Sequence, residues 1–225
     1  MTQTIIRCQE ICLALSIRGG VIVPVIQTLL LTVLTLSVER YFTIRASFGR
    51  MKLSKFVEQI KDALNNGDLG KAQELCDKQR GSVANVVSST LRKYREMEKT
   101  NDLTKEQKVL AIQKELEEAT ALELPMMQQN LPIIATITTL GTLMGLLGTV
   151  IGMIRSFAAL SAGGGTDSVA LSTGISEALI NTAFGILTGA LAVISYNYYT
   201  NKIDKLTYSL DEVGFSIVQT FASTH

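Results

Sequence analysis

The sequence predicts an all-α integral membrane protein with three transmembrane helices and a cytoplasmic helical bundle. Three stretches, residues 19–38, 124–154 and 178–201, contain no charged side chain. Each is long enough to cross a hydrocarbon core of about 30 Å as a helix, which needs about 20 apolar residues. Most of the 21 Lys and Arg and 20 Asp and Glu residues lie between Glu39 and Glu123. The charges are therefore concentrated in one polar segment between the first and second spans.

Composition argues against several other classes of function. The net charge is +1, and no basic stripe of the kind that binds nucleic acid is present. The three cysteines, Cys8, Cys12 and Cys76, have neither the spacing of a disulfide framework nor a neighbouring histidine for zinc. The sequence also lacks the motifs of nucleophilic or metal-dependent catalysis. We therefore expect no nucleic acid, no metal, no cofactor and no enzymatic activity.

The second span carries a stripe of small residues. Gly141, Gly145, Gly148 and Gly152 recur at spacings of four, three and four residues, which places them on one helical face. In membranes, small residues let neighbouring helix backbones approach closely. Thr138, Thr142 and Thr149 form an overlapping polar stripe. The alternative is ordinary helix packing, with each threonine hydroxyl bonded to a carbonyl three or four residues back.

The third span repeats this character. One of its faces carries Ala178, Thr182, Gly185, Gly189 and Ala192. Two such stripes predict an oligomer in which the second and third spans of each chain line a shared interior. Glu177 stands at the outer edge of this span, and a charge at mid-bilayer costs about 2.5–3.5 kcal/mol. It either faces a cavity or is an interfacial glutamate in water, and Arg155 either anchors the interface or pairs with Glu177 or Asp167.

The charges flanking the first span predict the orientation of the chain. Residues 1–18 read as an amphipathic helix at the membrane surface; a signal peptide is the weaker interpretation because of Glu10 and the missing cleavage pattern. The first transmembrane helix is predicted at 19–42. Arg45, Arg50, Lys52 and Lys55 follow it with no acid among them, and basic residues mark the cytoplasmic side. The N-terminus is thus predicted outside and residue 45 inside.

The remaining boundaries follow from turn and charge signals. We predict a cytoplasmic helical domain at 43–124, in which Asp68 caps one helix and Thr104 with Gln107 forms a capping box for another. The second span is predicted at 125–157, with Pro125 and Pro132 bending or restarting the chain at its entrance. A periplasmic loop at 158–168, a third span at 169–200 and a cytoplasmic C-terminal helix at 201–225 complete the chain.

Two strings resemble a known family. GLLGTVIGMIRSF (145–157) and LSTGISEALINTAFGILTGALAVISYNYY (171–199) look like the two signature helices of the MotA/TolQ/ExbB proton channel family, with ExbB members most similar. Glu39-Arg40 and NNGDLGKAQELCDKQRGSVANVV (65–87) are also similar to that family. Two positions depart from its pattern: Thr142 stands where many members have proline, and Arg155 is unusual there.

The resemblance implies a homopentamer in the bacterial inner membrane, in contact with lipid, with its N-terminus periplasmic and its C-terminus cytoplasmic. The second and third spans would surround the membrane helices of a single-span ExbD- or TolR-like partner, whose intramembrane aspartate carries the proton. By the same resemblance Thr149 and Thr182 match pore threonines that face this aspartate, Glu177 matches a pore-lining glutamate, and Thr142 and Thr138 extend the polar stripe.

The function implied is that of a proton-channel or stator subunit in biopolymer transport. It would use the proton motive force to drive the partner and, through it, a TonB- or TolA-like protein. The competing hypothesis is a non-conducting oligomeric membrane scaffold, in which the glycine faces of Gly141, Gly145, Gly148, Gly152, Gly185 and Gly189 only pack and the cytoplasmic helices recruit partners.

Overall fold

The computed structural model describes residues 22–100, 102–162 and 168–224, and within these ranges the chain folds into seven α-helices. They are α1 (Ile22–Ser47), α2 (Leu53–Asn65), α3 (Leu69–Gln79), α4 (Ser82–Lys99), α5 (Lys105–Gln128), α6 (Leu131–Ala162) and α7 (Ser168–Thr224). The predicted N-terminal helix at 1–18, Cys8 and Cys12, residues 163–167 of the predicted loop and His225 lie outside the described residues. Residues 158–162 of that loop belong to α6 instead.

The chain divides into two compact units. The first, called here the apolar unit, comprises the chain up to Val38 together with Asn130–Asn197. The second, the polar unit, comprises Glu39–Gln129 and the residues from Tyr198 onward. The division follows the charge pattern, since the apolar unit contains the uncharged stretches and the polar unit contains most of the Lys, Arg, Asp and Glu residues.

In the described part of the chain, three regions are long and apolar enough to cross a membrane. They lie in Ile22–Ser47, in the stretch Lys105–Ser161 that includes α6, and in Leu171–Ser223. Large apolar side chains such as Leu143, Ile154 and Ile194 are exposed on these helices. Apolar surface of this extent suits lipid or neighbouring helices rather than water. Within the described residues the chain is all-helical, and its three long apolar helices are those of a membrane protein.

A short break separates α5 from α6. Pro125 lies inside α5, which ends three residues later at Gln128, and Pro132 lies in the first turn of α6. Proline is tolerated in a first turn because the amide hydrogens there have no partner within the helix. Asn130, between the two helices, has φ +67°. Pro125 and Pro132 therefore lie on either side of the break, which consists of Gln129 and Asn130.

The helix starts in the polar unit use the caps that the sequence predicts. The Asp68 side chain accepts a hydrogen bond from the Lys71 amide at 2.9 Å at the start of α3. At the start of α5 the Gln107 amide donates to Thr104 Oγ1 while the Thr104 amide donates to Gln107 Oε1. These contacts confirm the cap and the capping box. Each satisfies amides that a helix start leaves without a partner.

The core of the polar unit includes the C-terminal part of α7. Its buried residues recur every three or four positions, which gives α7 one apolar stripe: Ile203, Leu206, Leu210, Val213, Ile217 and Phe221. Phe221 packs edge to face on Tyr94 of α4, with ring centroids 4.8 Å apart. No Gly or Pro occurs between Ala190 and Val213. The third span and the C-terminal amphipathic segment accordingly form one uninterrupted helix rather than two.

Candidate functional site

The two small-residue stripes face each other in the apolar unit. Each glycine of the α6 stripe contacts a residue of α7. Gly141 lies against Gly189, Gly145 against Gly185, Gly148 against Asn181 and Gly152 against Ala178, so the residue numbers increase along α6 while they decrease along α7. The helices are therefore antiparallel, and these four contacts extend over about three turns. The glycine positions that the sequence analysis selected all lie at this contact.

Gly145 and Gly185 mark the closest approach of α6 and α7. A Cβ added at Gly185 would lie 2.6 Å from Gly145 Cα and 2.7 Å from the Gly141 carbonyl oxygen. Real Cβ atoms do not come this close to backbone, and backbone cannot turn aside as a flexible side chain can. The absence of a side chain at Gly185 is thus what permits α7 to lie directly on α6.

The predicted threonines donate their hydroxyl hydrogens in two ways. On α6 the hydroxyls of Thr138, Thr142 and Thr149 donate to carbonyls of their own helix, Thr149 to Leu146 at 2.6 Å. Thr182 of α7 instead donates to the Gly145 carbonyl of α6 at 3.2 Å. Each hydroxyl oxygen keeps its lone pairs as acceptors. The threonine oxygens can therefore accept a hydrogen bond from a protonated acid, but the threonine stripe contains no acidic side chain of its own.

Helix geometry places Thr149 and Thr182 on the same side of the α6–α7 pair. Gly148 and Asn181 are contact partners, and each threonine follows its helix's contact residue by one position, a rotation of about 100°. Because the two helices run in opposite directions, these rotations turn the two threonine side chains toward the same side of the pair. The pair thus presents two hydroxyls along one common face, although each belongs to a different helix.

Glu177 and Arg155 form an ion pair between α7 and α6. Arg155 Nη1 lies 3.4 Å from Glu177 Oε1. The glutamate side chain is 17% exposed and the arginine side chain 52%. Of the arrangements left open by the sequence, the structure contains the pairing of Arg155 with Glu177, whereas Asp167 lies outside the described residues. The pair lies beside the contact between Gly152 and Ala178.

Sequence reasoning missed Asn181. This side chain is buried against Gly148, where an added Cβ would clash with it, and its Oδ1 has no hydrogen-bond partner within the described residues. A buried amide oxygen without a partner is costly. Asn181 lies one turn from Glu177 and adjoins Thr182. An asparagine in an apolar span at helical spacing from Glu177 was the signal that could have drawn attention to it.

The described residues contain no group of three or more His, Cys, Asp or Glu side chains that could hold a metal ion. What the α6–α7 pair offers is hydroxyl oxygens, one carboxylate paired with a guanidinium, and the Asn181 amide oxygen, which has no partner within the described residues. These groups bind protons, water or neutral carboxylic acids through hydrogen bonds.

Residues 81–212 match the sequence model of the MotA/TolQ/ExbB proton channel family, which is more than half of the chain. The chain belongs to this family. The match includes α4, α5, α6 and most of α7, so it contains both helices of the face described above. MotA/TolQ/ExbB proteins form a family of proton channels.

Individual relatives are similar over shorter or more divergent stretches. The ExbB-like 3 biopolymer transport protein of Synechocystis is 38% identical over 37% of this chain. An ExbB homologue of Methanothermobacter thermautotrophicus is 25% identical over 83% of it, and the TolQ protein of Haemophilus influenzae is 33% identical over 41%. The aligned parts span 41%, 62% and 46% of those three relatives, respectively.

Proposed function

We propose that the protein is the proton-channel subunit of an inner-membrane stator complex that converts the proton motive force into movement of a partner. The observation that carries the proposal is the side of the α6–α7 pair that Thr149 and Thr182 share, in a pair of helices that belongs to a proton channel family. Glu177, held by Arg155, lies further along the same two helices. Thr142 and Thr138 continue the polar stripe along α6.

The face needs a mobile acid, because it contains hydroxyls but no free carboxylate at its centre. Five copies arranged as a ring would place five such faces around a shared interior. A single-span partner of the ExbD or TolR type would supply an intramembrane aspartate there. Relatives of this chain are named as biopolymer transport and Tol-Pal system proteins, which supports a TonB- or TolA-like protein as the recipient of the force.

The proposed cycle moves one proton per encounter with a face. The partner's aspartate is protonated from the outside, and as a neutral acid it hydrogen-bonds Thr149 and Thr182. It then releases its proton to the inside, and the charged partner moves to the next face. One charge crossing 100 mV gains about 2.3 kcal/mol, so a few protons suffice to break several noncovalent contacts.

Proton flux through a reconstituted complex tests this proposal. The chain is co-expressed with a single-span protein of the ExbD or TolR type that has one intramembrane aspartate. The double variant Thr149→Val and Thr182→Val is then compared with Thr28→Val and Thr32→Val, which removes two hydroxyls from α1 that bond only to their own helix. Proton flux into proteoliposomes is measured with a pH-sensitive dye trapped inside them.

We expect the α6–α7 variant to assemble normally and to lose about five- to thirtyfold in flux, because a neutral acid then loses one or two hydrogen bonds of about 1 kcal/mol each. The α1 variant should conduct like the unsubstituted protein. Equal flux in the two variants contradicts the proposal. Native mass spectrometry of the same complex is expected to give five copies with two partners, whereas a homo-oligomer that never takes up the partner favours the scaffold.

A further inference from the structure

The polar unit contains a basic, aromatic cavity that the proposed proton pathway does not use. It is open, has a volume of about 240 Å³, and is lined by residues from the end of α1 and from the middle of α7. Arg45 and Lys202 are its two cations, and Tyr41 and Tyr198 are its exposed aromatic residues. Residues far apart in the sequence thus form one site through packing.

Both cations contact tyrosines rather than carboxylates. Arg45 Nη1 donates to Tyr41 Oη at 3.1 Å, and Lys202 Nζ lies 5.6 Å from the centroid of the Tyr198 ring. Within the described residues neither cation forms an ion pair, and the lining contains no Asp or Glu. The cavity therefore carries two positive charges with no counter-charge, which is the arrangement that binds an anion.

The position of the cations in the chain indicates which anion. Arg45 follows the uncharged stretch that ends at Val38, and Lys202 is the first charge after the uncharged stretch 178–201. Tyrosines at such positions form the aromatic belt at the level of lipid headgroups. Ile44 and Phe48 also line the cavity. An apolar wall beside two cations suits an amphiphile, whereas a small soluble anion would leave that wall unused.

We propose that this cavity binds the phosphate of an anionic glycerophospholipid, with Arg45 and Lys202 as the phosphate ligands. Basic pockets next to membrane helices on the cytoplasmic side are suited to such headgroups. Tyr41 and Tyr198 orient the two cations, and Ile44 and Phe48 contact the glycerol and the first methylenes. The site is separate from Thr149, Thr182 and Glu177 and does not depend on proton conduction.

Lipid titration of the full chain tests the site. The protein is purified in mild detergent, and phosphatidylglycerol or phosphatidylcholine with identical acyl chains is added while native mass spectrometry counts bound lipid. The variant Arg45→Gln with Lys202→Gln is compared with Arg50→Gln and Lys205→Gln. The control removes two positive charges from the same two chain segments, but its residues do not line the cavity.

We expect the unsubstituted protein to prefer phosphatidylglycerol, and the cavity variant to bind it about thirtyfold more weakly, as the loss of two basic groups near a lipid surface implies. The control should keep its affinity. Equal affinity for the two lipids overturns the proposal, as does an equal loss in the cavity variant and the control. Displacement of the lipid by excess sodium phosphate would show that the cavity binds free phosphate, which also overturns it.

If the double variant fails to fold, the comparison of the two lipids on the unsubstituted protein still tests the proposal. Single variants Arg45→Gln and Lys202→Gln, each checked by circular dichroism, then divide the effect between the two cations. Each is expected to weaken phosphatidylglycerol binding about fivefold. No change in either single variant contradicts the assignment of the phosphate ligands.

Discussion

At the scale of single residues, Gln79 holds together the segment that follows α1. It is fully buried at the end of α3. Its Nε2 donates to the carbonyls of Phe48 and Met51, at 2.7 and 3.2 Å, and its Oε1 accepts from the Met51 amide at 2.9 Å. Gly49 in this segment has φ +74°, and a Cβ there would clash with the end of α3. The Gln79 side chain thus supplies hydrogen-bond partners for backbone groups of the tight turn that have none within the turn itself.

Gln79→Leu is expected to lower stability by about 2–4 kcal/mol, because it removes three hydrogen bonds and leaves their backbone partners without a replacement. Thermal unfolding in detergent, followed by circular dichroism, measures the effect. Lys78→Ala on the same helix is the control, since Lys78 is exposed and its contact with Glu74 is a surface pair worth little. A midpoint equal to that of the control would show that the three bonds are not needed.

Arg40 has a similar role at the end of α5. Its side chain is 2% exposed, pairs with Glu39, and donates through Nη1 to the carbonyls of Met126 and Met127. These carbonyls belong to the last turn of α5, where a helix has no partners of its own for them. A charge-assisted bond there also suits the negative end of the helix dipole. From the sequence alone, Glu39-Arg40 indicated a similarity to the family but not this contact with α5.

Cys76 is buried in α3, and its environment disfavours the thiolate. Burial raises the pKa of the thiol to about 12, and the neighbouring charge of Asp77 adds to the effect. In the unfolded chain a cysteine releases its proton near pH 8.5. Between that pH and about 12 the native state therefore binds more protons than the unfolded state, so this residue's contribution to stability falls as pH rises.

We expect Cys76 to resist iodoacetamide at pH 8 in the native protein and to react fully after denaturation. Peptide mass spectrometry separates this site from Cys8 and Cys12. Above pH 9 the unfolding midpoint should fall less in Cys76→Ala than in the unsubstituted protein, because the variant has no thiol to titrate. Rapid alkylation of native Cys76 at pH 8 would contradict the assignment.

At the scale of elements, the contact between α6 and α7 depends on glycine at its closest point. Even one methyl group at Gly185 would meet the backbone of Gly145 and Gly141. Gly185→Ala is therefore expected to separate the helices locally and to lower stability by about 1–3 kcal/mol, the usual cost of overpacking.

Ile186→Ala is the matched control for this prediction. It places the same residue type one position further along α7, where the side chain is exposed. The unfolding midpoints and gel-filtration profiles of the two variants in detergent are compared. A Gly185→Ala protein as stable as Ile186→Ala would show that close backbone approach is not what the glycine provides.

At the scale of the whole molecule, the distribution of basic residues predicts the orientation of the chain. Arg45, Arg50, Lys52 and Lys55 follow the first span, and Lys202 and Lys205 follow the third. All six are expected on the cytoplasmic side. A C-terminal green fluorescent protein fusion in a bacterial host should fluoresce, and a C-terminal alkaline phosphatase fusion should be inactive. An active phosphatase fusion would reverse the predicted topology.

The sequence by itself determined what depends on local pattern. Uncharged length predicted three apolar helices, periodic glycines indicated which faces of α6 and α7 approach closely, and cap residues predicted the starts of α3 and α5. These features need only residues within a few helical turns of each other. The family also followed from local strings, and the match over 81–212 shows it. The roles of Thr149, Thr182 and Glu177 remain proposals.

Only the tertiary structure decided which distant residues meet. Gln79 bonds a segment 28 to 31 residues away, and Arg40 reaches carbonyls 86 and 87 residues away. Tyr41 and Arg45 share a cavity with Tyr198 and Lys202, and Asn181 lies against Gly148. Such pairings are set by how helices pack, which depends on the shapes of whole faces. No periodicity within one segment carries that information.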